Sequence, residues 1–187
     1  MSILVLGIVI FIGVHLIPTV PSLRARLSHR VGNNPYRGLF SLVSLAGFVL
    51  LVVGKGRAPF VPLWHPPPWA PRVAVWVMPV ALTLLVAAFL PSNLKRVTRH
   101  PMLWGVTVWA AVHLLANGDV ASLILFGSFG AFALFDMWSA NRRGAELSSK
   151  RVPYWRDLLV IVVGGIVYMG FLHSHAMLFG VPVPVGG

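Results

Sequence analysis

The sequence predicts an all-α, polytopic integral membrane protein, a bundle of six helices, and three observations predict it. Of 187 residues, 57% are hydrophobic and only 10% charged, with mean hydropathy +0.83, whereas a soluble domain is roughly one-quarter charged. The apolar residues gather in six runs, about 3–20, 39–53, 73–90, 102–116, 120–138 and 158–179. A helix crosses the bilayer with roughly 17–25 such residues. The basic residues fall between these runs. Backbone groups in lipid must be satisfied within the protein, so a spanning run is a helix or part of a closed barrel. The alternating segments of a barrel, each about ten residues long, are absent. No internal repeat or boundary divides the chain, and 1–187 reads as one transmembrane domain.

The first run, "MSILVLGIVIFIGVHLIP", has no positive n-region and no small-residue cleavage motif, so a retained span is expected there, not a signal peptide. The second is short, and Asn34-Pro35 extends it by supplying an N-cap and a first-turn proline. The stretch "RAPFVPLWHPPPWAPR" is too rich in proline for a helix, and its Trp64 and Trp69 suit headgroup-level anchors. Pro79 is expected to kink the third helix. The fourth begins at Pro101. In "ANGD", Gly118 is expected to take the left-handed position after the fourth helix and Asp119 to cap the fifth, making these two an antiparallel pair.

The formal net charge of +11 does not imply nucleic acid, because the basic residues form no continuous patch. Arg24, Arg26, Arg30 and Arg37 occupy the first loop, and Lys95, Arg96 and Arg99 the third. Arg142, Arg143, Lys150, Arg151 and Arg156 occupy the fifth; only Lys55, Arg57 and Arg72 lie elsewhere. By the positive-inside rule, loops one, three and five are cytoplasmic and both termini periplasmic, in a bacterial inner membrane. The absence of cysteine excludes disulfides, thiolate metal sites and thiol catalysis.

The chemistry then rests on seven histidines. His29 and His65 lie in loops. His15 and His113 lie within apolar runs, where an ionisable residue faces a bundle interior or cavity. Gly105, Trp109 and His113 form one helical stripe, which leaves space for a flat ligand or serves close helix packing. With no buried acid expected beside them, these histidines do not suggest a triad. A zinc site needs three or four ligands, whereas haem needs one or two axial imidazoles and an apolar, aromatic pocket. Thirteen residues of helix rise about 19.5 Å and turn about 220°, so His100 and His113 do not share one iron. Counting depth along the helices leaves His15 able to pair with either, His100 being nearer in depth. His173 and His175 stand near His113 in depth as further ligands or supporting residues. Arg99, His100 and Pro101 form an edge cluster suited to an anion, a propionate or a headgroup, or to a basic anchor.

"HLIPTVPSLRARL", "NPYRGLFSLVSLAGFVLLVVG", "RHPMLWG", "WAAVHLLANGDVASLILFGSFG" and "HAMLFGV" resemble, in order, the NnrU family of membrane proteins associated with nitrite and nitric oxide reduction. That family is similar to plant zeta-carotene isomerase, a membrane haem b enzyme with histidine ligands. The resemblance implies an axial pair at His15 and His113, leaving Arg99 and His100 as pocket or propionate-side residues. It implies a redox-gated isomerase or a centre handling nitric oxide, with a hydrophobic polyene or nitric oxide as partner. The alternative is a non-catalytic factor for assembly or haem supply. The "RHP…G" pattern is shared with isoprenylcysteine methyltransferases, but the ending "VPVPVGG" lacks the polar and acidic residues they carry after their last spans.

Overall fold

The computed structural model describes residues 1–183. Residues 184–187 lie outside it, and with them the end of the expected domain and of the uncharged tail. The described residues form eight α-helices and no strand. These are α1 (Ser2–Leu16), α2 (Pro21–Val31), α3 (Asn33–Gly56), α4 (Ala70–Phe89), α5 (Leu94–Val97), α6 (Pro101–Ala116), α7 (Val120–Arg142) and α8 (Tyr154–Phe179). Five segments are long and apolar enough to cross a bilayer: Ser2–Thr19, Asn33–Gly56, Ala70–Phe89, Val120–Arg142 and Tyr154–Phe179. The fourth expected span, α6, has 16 residues. It rises about 24 Å, short of the roughly 30 Å hydrocarbon core, so length alone supports five spans rather than six. Large apolar side chains such as Leu42, Trp76, Val80 and Ile166 stand exposed along the helices. A soluble protein rarely exposes so much contiguous apolar surface; it suits lipid.

The chain folds as two compact units, Met1–Val61 and Pro62–Gly187. In the first, α1 and α3 pack backbone to backbone. A Cβ added at Gly54 would lie 2.4 Å from the Leu4 nitrogen, one at Gly7 2.7 Å from the Leu51 nitrogen, and one at Gly47 2.8 Å from the Phe11 nitrogen. These contacts run in opposite directions along the two helices, which are therefore antiparallel. Small residues permit this approach, and dispersion at short range replaces the hydrophobic drive that lipid lacks.

The expected first loop contains α2. Pro21 starts it and Gly32 ends it at φ 87°, a left-handed conformation suited to glycine. Leu23, Leu27 and Val31 make an apolar stripe flanked by Arg24, Arg26 and Arg30, with no residue of α2 buried. The same Gly32 precedes α3, which begins at Asn33. Asn34 is therefore not its cap, and Pro35 lies inside the first turn, where its missing N–H has no intrahelical partner to lose.

In the second unit α4 packs against both α6 and α8. Gly105 of α6 meets the Ala81 carbonyl and Leu85, and Gly164 of α8 meets Thr83. The α6–α7 pair is antiparallel, as expected: His113 faces Phe126, while Ala110 faces Gly130. Asp119 caps α7, accepting from the Ser122 N–H at 3.0 Å and from its hydroxyl. Gly118 corrects the expectation, since it has no positive φ. Glycine is needed there because an added Cβ would lie 2.0 Å from the Trp64 carbonyl oxygen. The Gly118 carbonyl accepts from the N–H groups of Leu63 and Trp64 at 2.7 and 3.2 Å, so the proline-rich segment seals the α6–α7 turn. At the other end of this unit, Asn93 receives the Val152 N–H and donates to the Val152 carbonyl, while its amide groups reach both oxygens of Asp157 at 2.7 and 2.6 Å.

Candidate functional site

His15 sits near the end of α1, half-buried. Its Nδ1 donates to the Phe11 carbonyl one turn back at 2.7 Å. Its ring stacks on Phe11, with centroids 4.2 Å apart, and meets the edge of Phe40 at 5.1 Å. A proton held on Nδ1 leaves the lone pair on Nε2, the tautomer in which a histidine coordinates a metal through Nε2. On the same stripe of α3, the buried Tyr36 Oη and Ser44 Oγ find no hydrogen-bond partner among the described residues.

His113 repeats this construction in the second unit. Its Nδ1 donates to the Trp109 carbonyl at 2.8 Å, and its ring lies 5.4 Å from Trp109 and 4.6 Å from Phe126. Phe126 and Phe129 present their edges to Trp109, fixing the aromatic wall. His113 also lines a cavity of about 220 Å³ with Met78, Leu82, Tyr168, Leu172 and His175. Tyr168 donates to the carbonyl of Val75, which also lines the cavity, at 3.0 Å. The cavity does not extend along the stripe to Trp109 or Gly105. Gly105 instead admits α4, which settles the choice left open for that glycine in favour of close packing.

His175 shares the cavity, and its Nδ1 donates to the Val181 carbonyl at 2.6 Å, where Val181, Pro182 and Val183 join the lining. His173 bonds the Met169 carbonyl but is exposed and has no ring neighbour among the described residues. Arg99 and His100 lie at the far end of α6, where His100 Nε2 is 3.0 Å and Arg99 Nη1 3.3 Å from Asn141 Oδ1. They line a separate cavity that shares no residue with that of His113. The thirteen-residue spacing therefore separates two places, as the helical geometry requires. The buried Asp119 carboxylate serves the α7 cap.

A family model described as NnrU protein matches residues 3–183. The chain belongs to the NnrU family. No curated protein matches it, and no solved structure does.

For this NnrU chain the fit to haem divides in two. The donor type fits: each imidazole has Nδ1 bound to a backbone carbonyl and aromatic rings beside it, and haem iron takes one or two imidazole ligands. Among the described residues no group of three His, Cys, Asp or Glu is placed to hold a bare metal ion. The His113 cavity does not fit, because 220 Å³ is below the roughly 300–1,000 Å³ of small-molecule pockets. Sequence reasoning missed Phe40, Phe126, Met78 and Tyr168, which are ordinary apolar-run residues until tertiary contacts select them. Lys95, Glu146 and Ser148 were likewise unmarked as neighbours of His100.

Proposed function

We propose that this NnrU protein is a multi-pass membrane haem b protein whose iron takes His15 and His113 as axial ligands, so that the whole chain acts as one functional domain. The observation that supports it is the twin construction of these two histidines. Both have Nδ1 bound to the carbonyl four residues back and a ring flanked by aromatics, whereas His173 has the bond without the rings. Bound iron would supply either a redox-gated Lewis acid for isomerising a hydrophobic polyene, as the resemblance to zeta-carotene isomerase suggests, or a site for nitric oxide. The protein's own part is to fix both tautomers, exclude water through Phe11, Phe40, Trp109 and Phe126, and keep a small apolar space beside His113.

In this reading α6 is the sixth span. Its short helix is completed by the 117–119 turn, whose Gly118 carbonyl is already satisfied by Leu63 and Trp64. Loops one, three and five face the cytoplasm of a bacterial inner membrane, in keeping with their arginines and lysines. The test is the haem content of protein purified from haem-replete cells, followed by incubation with an apo-haem acceptor and, separately, with a polyene. Retained haem with polyene turnover or nitric oxide binding supports a working centre. Rapid transfer to the acceptor supports the haem-supply alternative, and protein without haem refutes both.

A further inference from the structure

The second unit holds another cavity, independent of the haem reading. It measures about 360 Å³ and is lined by Lys95, Arg99 and His100 together with Pro101, Met102 and Glu146. We propose that it binds the phosphate of an anionic phospholipid.

Two permanent cations face one carboxylate there, so the lining carries positive charge before His100 is counted. None of Lys95, Arg99 and His100 is held by a carboxylate among the described residues. Lys95 Nζ donates to the Ala88 carbonyl at 2.9 Å, which orients it and leaves two of its three N–H groups. Arg99 uses one nitrogen on Asn141, leaving most of its five donors. After Pro101, which has no N–H, Met102 and Leu103 add backbone N–H groups at the helix start, where no intrahelical acceptor exists. Charge-assisted donors of this kind recognise phosphate.

The level of the cavity favours a lipid over free phosphate. Trp104, Trp138 and Trp155 stand exposed at this same end of α6, α7 and α8. The guanidinium of Arg142 lies 4.9 Å from the Trp138 ring centroid and that of Arg156 5.4 Å from Trp155. A belt of aromatics with arginines beside it marks the headgroup level. Apart from Ser148, the rest of the lining is apolar, made by Ala88, Pro101, Met102 and Leu103, and suits the start of an acyl chain.

The experiment uses the full chain in neutral detergent, with dioctanoyl phosphatidylglycerol as probe and binding read by native mass spectrometry. Dioctanoylglycerol, which lacks phosphate, and inorganic phosphate form the comparison arms. Lys95→Gln and Arg99→Gln should each weaken phosphatidylglycerol binding about tenfold, as expected for loss of a charge-assisted contact. Lys150→Gln, the same charge change outside the lining, should leave it unchanged. Glu146→Gln should tighten it several-fold, a gain that misfolding cannot mimic. Equal binding of dioctanoylglycerol overturns the phosphate assignment, and inorganic phosphate binding as tightly as the lipid overturns the lipid assignment. Equal loss in Lys150→Gln, or no gain in Glu146→Gln, overturns the site.

Discussion

Gly54→Ala tests the packing of α1 on α3 that holds His15 in place. The added methyl would lie 2.4 Å from the Leu4 nitrogen, 2.6 Å from its Cα and 2.9 Å from the Ile3 carbonyl carbon. All three are backbone atoms, so no rotamer change relieves the clash. Non-bonded carbons settle at about 3.5–4.0 Å, and the helices must separate by roughly 1 Å. Overpacking of this kind costs about 1–3 kcal/mol. Alanine also gains about 1 kcal/mol of helix propensity over glycine, which would blur a single measurement. Gly13→Ala in α1 removes that ambiguity, because an added Cβ there meets nothing within 4 Å. The propensity gain is common to both substitutions, so the two variants should differ in stability by about 1–3 kcal/mol, with Gly13→Ala the more stable. Helix unfolding followed by circular dichroism in one detergent, over a temperature or denaturant series, measures the difference. If Gly54→Ala is as stable as Gly13→Ala, the close backbone contact is wrong.

Other consequences are local to the second unit. Gly118→Ala would set its new Cβ 2.0 Å from the Trp64 carbonyl oxygen and so push that carbonyl away from the α6–α7 turn; protease cleavage near residues 62–69 should then quicken while the helix content holds. Asp157→Ala leaves the Asn93 N–H and amide without their carboxylate and should cost about 1–3 kcal/mol. Combined with Asn93→Ala in a double-mutant cycle, it should show coupling; additive losses would argue against the network.

The apolar runs made the long helices legible, because hydropathy in lipid is a strong one-dimensional signal. Asp119 as a cap and Pro101 as a helix start were also legible, since both act on their own backbone. What was not legible depended on contact across the chain. Arginine-rich 21–31 reads as a loop by charge count, yet Pro21, Gly32 and the spacing of Leu23, Leu27 and Val31 encode an amphipathic helix. Gly118 is glycine for a reason that its own turn does not show, since the segment it admits lies more than fifty residues earlier in the sequence. Of the candidate residues, the separation of His100 from His113 followed from helical rise and turn alone. The nearness of His175 to His113 in depth was legible too, whereas the cavity that they share with Tyr168 needed the fold. The residues of α6 were legible but its reach across a bilayer was not, because 16 helical residues alone rise less than the hydrocarbon core is thick.

The central claim is that His15 and His113 hold a haem iron, and the absorption spectrum of the purified chain tests it most directly. The wild-type protein should show a Soret band with the sharp reduced-state α and β bands of a bis-imidazole haem b. His15→Ala and His113→Ala should each abolish that low-spin signature, while His173→Ala leaves it intact. A Soret band that survives both substitutions, or disappears only in His100→Ala or His175→Ala, would contradict it.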